Sequence, residues 1–127
     1  MKTDLGLLVL RLGFGGTMLF SHGIPKLLSF SEKMDQFPDP IGLGSPVSLA
    51  LAIFAEALCS AAVALGLWTR FACIPLIVTM SVAAFQIHAA DPFQKKELAL
   101  MYLIAFVGLA LTNGGKYALD RIQIRAR

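Results

Sequence analysis

Three near-continuous apolar stretches, at 5–24, 46–67 and 71–88, dominate this 127-residue chain. A helix needs about 20 residues to cross a bilayer core of about 30 Å, and each stretch meets that length. A fourth, at 97–112, is shorter. It spans if Lys95 and Lys96 snorkel at one end and Tyr117 anchors the other. The chain is 57% hydrophobic and 15% charged, where a soluble domain has about 45–50% and about 25%. A core of this size cannot hide so much apolar surface. The same composition excludes a disordered chain, a collagen and a disulfide scaffold. The expected fold is therefore all-α: one domain, 1–127, forming a four-helix transmembrane bundle with up-down antiparallel topology.

The connections support that order. Residues 26–45 hold Phe37-Pro38-Asp39-Pro40 and Gly42-Leu43-Gly44, a density of breakers that forbids a long helix. An amphipathic piece over 30–37 is expected to lie on the membrane surface. Trp68-Thr69-Arg70 reads as a tight turn, which makes the second and third helices antiparallel neighbours. Gly114-Gly115 stops the fourth helix and opens a basic tail, 113–127. Arg11 interrupts the first stretch and no small-x-small site follows it, so that stretch reads as a retained helix rather than a cleaved leader. With four spans, Lys2, Arg70, Lys116, Arg121, Arg125 and Arg127 share one side, and Lys26, Lys33, Lys95 and Lys96 the other. The positive-inside rule then places both termini in the cytoplasm.

Ionisable residues at membrane depth need a partner or a function. Arg11 lies in the first helix and Glu56 near the middle of the second. Pairing would neutralise both, but side chains on antiparallel helices lean apart toward their own N-termini, so a direct pair needs tilt, an extended Arg11 or a bridging water. Arg11, Gly15, Met18, His22 and Lys26 recur at helical spacing as one stripe, expected to face the bundle interior. Gly13, Gly15 and Gly16 are expected to admit a neighbouring helix. His22, Lys26, His88 and Glu97 meet one level of the membrane from three helices. Such a cluster suits proton exchange near neutral pH or the head group of a small ligand. Arg11, His22, Lys26, Glu56, His88 and Glu97 are therefore the candidate ligand-binding or proton-relay residues. Their scattered spacing does not build a metal site. Cys59 and Cys73 read as small apolar residues too far apart in depth for a disulfide. The chain has no phosphate loop, no dinucleotide fingerprint and no nucleic-acid-binding pattern.

Leu10-Arg11-Leu12-Gly13, with His22-Gly23-Ile24-Pro25-Lys26-Leu27 after it, resembles the opening helix of the DoxX family of small bacterial membrane proteins. Glu56, Leu65-Gly66-Leu67-Trp68-Thr69-Arg70, His88, Glu97 and the closing Asn113-Gly114-Gly115-Lys116-Tyr117-Ala118-Leu119-Asp120 are similar to the rest of its pattern. Asn113 departs from it, standing where the family has a glycine or small residue. The resemblance implies a four-helix bundle in the bacterial inner membrane. It also implies an accessory role in quinone- or thiol-linked redox chemistry, because the family's namesake is a subunit of a thiosulfate:quinone oxidoreductase. It identifies no catalytic residue. No cofactor motif is evident in the chain, and quinone is the candidate ligand. The expected partners are the lipid bilayer and a membrane redox protein that supplies the electrons, with a homo-oligomer left open. Two alternatives are a non-catalytic membrane scaffold and a small-molecule transporter.

Overall fold

Long apolar runs can satisfy their backbone groups internally only as helices, and helices are what form. The computed structural model describes residues 2–120. The helices are α1 (Lys2–Leu28), α2 (Phe30–Lys33), α3 (Ser45–Leu65), α4 (Thr69–Ile87) and α5 (Phe93–Thr112). No strand occurs among the described residues. By length and composition α1, α3 and α4 can each cross a membrane. At 20 residues, α5 is about 30 Å long, but Lys95, Lys96 and Glu97 occupy its first turns.

Several boundaries move from their expected places. α1 runs beyond 5–24 at both ends, and α5 starts at Phe93 rather than 97. The surface piece at 30–37 shortens to α2. The turn between α3 and α4 falls at Gly66–Trp68, earlier than Trp68-Thr69-Arg70. Gly66 (φ 80°) and Trp68 (φ 46°) both take left-handed backbone there. Asp120 pins this turn: its N–H donates to the Gly66 carbonyl, and its carboxylate accepts the Trp68 N–H. Asn113 also has positive φ (65°), but with ψ −171° it lies in an extended region that is essentially glycine's.

Small residues set the approach of α1 to α3. A Cβ on Gly15 would stand 3.0 Å from the Ser60 carbonyl oxygen, and one on Gly23 only 2.2 Å from that of Glu56. Gly13 and Gly16 face open space, so the expected glycine contact is correct for Gly15, wrong for its two neighbours, and misses Gly23. The core between helices holds Met18, Cys59, Val63, Cys73, Leu76, Tyr102, Phe106 and Leu109. Both cysteines are buried and unbridged. Large apolar side chains such as Phe20, Phe71, Ile104 and Leu111 point outward, as suits a surface solvated by lipid.

Wide, π-helical turns interrupt α1 at Arg11–Gly15 and Leu19–Gly23, α3 at Phe54–Cys59 and α4 at Ala83–Ile87. Arg11, His22 and Glu56 each sit in one. Such turns frequently mark functional positions in helices.

At one end of the bundle the Lys116 N–H donates to Asp4 Oδ1 at 2.9 Å. The start of α1, the α3–α4 turn and the segment after α5 therefore share that end. Arg121, Arg125 and Arg127 of the expected basic tail lie outside the described residues.

Candidate functional site

The expected polar stripe on α1 faces the interior, but its two ends serve different neighbours. Arg11 is 1% exposed and makes no contact with Glu56. Its Nε donates to the Gly114 carbonyl at 2.9 Å, and its Nη1 to the Ala64 carbonyl at 2.8 Å and that of Val63 at 3.4 Å. The last carbonyls of α3 lack partners within their own helix, and they carry the negative end of its dipole. Arg11 supplies both the hydrogen bonds and the charge. It closes one end of the bundle and does not line the cavity at the other.

The opposite end opens into a cavity of about 480 Å³. α1 contributes Met18, His22 and Lys26, and α3 contributes Ser48, Leu51, Ala52 and Glu56. Thr79 and His88 come from α4 and the residue after it, and Lys95, Ala99 and Tyr102 from α5. Phe37, Pro38, Pro40 and Ile41 fold across as a cover. Lys26 Nζ donates to Glu56 Oε1 at 2.7 Å. The Glu56 side chain is 5% exposed and that of Lys26 22%, so the ion pair is inside the protein and reachable mainly from the cavity. His22 meets Tyr102 edge to face, ring centres 5.7 Å apart, and Tyr102 stacks on Phe106 at 5.9 Å.

Two carboxylates fix the rim. Asp39 accepts from the Ser48 hydroxyl at 2.7 Å and from the N–H groups of Gly44 at 2.9 Å and Leu43 at 3.0 Å. These bonds, that of Ser48 foremost, hold the Asp39 carboxyl below the usual range, and they tie the cover to the start of α3. Asp91 Oδ2 lies 2.8 Å from His88 Nδ1. That bond, with Lys95 and Lys96 nearby, likewise lowers the Asp91 carboxyl.

The cavity thus gathers His22, Lys26, Glu56 and His88 from the six candidate residues. Arg11 lies at the far end, and Glu97 is exposed and does not line the cavity. The expected Arg11–Glu56 pair gives way to Lys26–Glu56, because Lys26 lies one turn beyond His22 and its long side chain reaches the depth of Glu56. Sequence reasoning passed over Tyr102. Its signal was a phenol inside the otherwise apolar stretch of α5. Ser48, Thr79 and the Phe37–Ile41 cover were missed as well. Among the described residues no three His, Cys, Asp or Glu side chains converge as a metal site would require.

Chemically, the lining offers two ammonium groups, a carboxylate, two imidazoles, a phenol and two hydroxyls among otherwise apolar side chains. Such a site suits an amphipathic molecule with a compact polar head. Fold and site together define a small helical membrane protein built around a polar-ended cavity. The chain belongs to the DoxX family, whose pattern matches residues 6–89. That span carries His22, Lys26, Glu56 and His88 and stops before α5. The chain is also similar to a Haemophilus influenzae protein described as uncharacterized. The two are 29% identical over 128 residues, covering 94% of this chain and 84% of the relative. No solved structure matches the chain.

Proposed function

We propose that this DoxX protein is an accessory component of quinone-linked redox chemistry in the bacterial inner membrane, and that its cavity holds the quinone head. The observation that carries this reading is the Lys26–Glu56 pair, set beside His22 and Tyr102 in a cavity whose lining is mostly apolar. A quinone ring needs an apolar slot and donors for its carbonyl oxygens. Lys26 and Tyr102 supply donors. Reduction to the quinol takes two electrons and two protons. His22 and Glu56 are placed to pass protons, and a partner redox protein delivers the electrons.

The same reading has α5 as a fourth span. The segment after α5 contacts Asp4 and Arg11 at the start of α1. If α1, α3 and α4 cross the bilayer, α5 must cross back to bring that segment there. Counted along the sequence, with the basic tail assigned to the same side as Lys116, the excess of basic residues there supports a cytoplasmic placement.

Native mass spectrometry of the protein, extracted from its own membrane in mild detergent, tests the binding. A stoichiometric quinone adduct, lost in Glu56→Gln and His22→Ala, is the expected result. A bare chain, or one bound only to another polypeptide, would favour a non-catalytic assembly role.

A further inference from the structure

Resting on the quinone reading, we infer that the cavity is a lateral port: its ligand is a tailed lipid, and it enters from the bilayer between α3 and α4. The packing of the helices carries this inference. The outer half of α3, Ser45–Ile53, packs against the end of α1, whereas the outer turns of α4, Ala83–Ile87, pack against α5. The cavity occupies the space between them, with Leu51 on one lip and Val78 and Ile87 on the other. All three are apolar and outward-exposed: Leu51 48%, Val78 56%, Ile87 38%. A slot for a water-borne molecule would have polar lips. The polar lining groups lie instead deeper, at His22, Lys26, Glu56 and Tyr102, or at the aqueous end, where Ser48, His88 and Lys95 join the tied segment Phe37–Ile41. The Thr79 hydroxyl beside Val78 donates to the Pro75 carbonyl of its own helix. A head seated on the ion pair therefore directs its tail outward between Leu51 and Val78, into lipid. A site of this shape selects long-tailed quinones over soluble ones.

Two measurements test the inference. In the first, quinones with the same head and increasing tail length are titrated against the protein in nanodiscs. Affinity should rise at least about tenfold from the tail-less to the tailed compounds, the equivalent of burying about two methylenes. In Leu51→Trp and Val78→Trp, which fill the lips, that ratio should fall toward one. Equal affinity for all tail lengths in the wild type overturns the port, as does an unchanged ratio in both tryptophan variants. The second measurement needs no ligand. A tryptophan replacing Ala83, in a Trp68→Phe background, should be quenched by lipids brominated along their chains. Absence of quenching overturns the port even where quinones bind. Quenching with no quinone bound at any tail length would sink the quinone reading and leave the port standing.

Discussion

At the residue scale, two cations on the inner face of α1, Arg11 buried and Lys26 half-buried, do opposite jobs. Among the described residues Arg11 meets no carboxylate; it holds three carbonyls, at Val63, Ala64 and Gly114. Hydrogen bonds to a charged group are each worth about 1.5–3 kcal/mol. Counting only the two short bonds, to Gly114 and Ala64, Arg11→Met should destabilise the protein by at least about 3 kcal/mol, read as a lower thermal midpoint in detergent, with quinone binding retained by the folded fraction. Lys26 and Glu56 differ because each neutralises the other inside the protein. Removing one partner leaves an unpaired buried charge, which costs about 3–5 kcal/mol, whereas replacing both with apolar residues is often neutral. The expected outcome is that Glu56→Gln is less stable than the wild type. The double variant Lys26→Met, Glu56→Leu should recover the wild-type midpoint and still bind no quinone. A double variant that binds as the wild type does would show that the pair is packing alone.

At the element scale, the contact between α1 and α3 depends on which glycine meets backbone. Gly23→Ala drives a methyl into the Glu56 carbonyl, whereas Gly13→Ala meets nothing within 4 Å. The first should part the helices at the ion pair and cost about 1–3 kcal/mol as an overpacked contact. The second should be neutral or stabilise by up to about 1 kcal/mol through helix propensity. Parallel thermal unfolding of the two variants checks the contrast. The cover over the cavity depends on Asp39 ionising. Its folded value lies below the unfolded one, so its contribution is fully present above about pH 4 and is lost as pH falls through the folded value. Hydrogen exchange at Leu43 and Gly44 should accelerate over that acidic window, beyond the intrinsic trend, and Asp39→Ala should show the faster exchange already at neutral pH. The sequence disclosed the long helices and the inward stripe of α1, because hydrophobic length and four-residue spacing are local properties. It grouped Arg11 and Glu97 with the other four candidates, and the structure sets both apart from the cavity. Spacing gives a residue's depth and face, but its partner depends on how far neighbouring helices slide and where a chain end folds back. Gly114 lies 103 positions from Arg11, a contact that no local pattern reveals. Tyr102 and the Phe37–Ile41 cover escaped for the same reason: their role exists only once four helices and a loop surround one space.

At the scale of the whole molecule, the two ends of the bundle divide the work. One end is closed by Arg11, by Asp120 on the α3–α4 turn and by the contact of Lys116 with Asp4. The other end splays and holds the ionisable cavity. The division lets a small chain keep charged groups in a bilayer, since the closed end fixes the helices against which the open end can gape. It also constrains topology, because three crossings would leave the segment after α5 on the side away from Asp4. Cysteines at Lys2 and Lys116, in a Cys59→Ser, Cys73→Ser background, should both resist a membrane-impermeant maleimide applied outside intact cells. A cysteine at Lys33 or Asp91 should react with it. Labelling of position 116 but not position 2 would leave α5 outside the bilayer and break the bundle as described. Labelling of both, with 33 and 91 protected, would keep four spans and invert the protein. The capped end of the cavity would then face the cytoplasm, and the electron-delivering partner would be sought on that side.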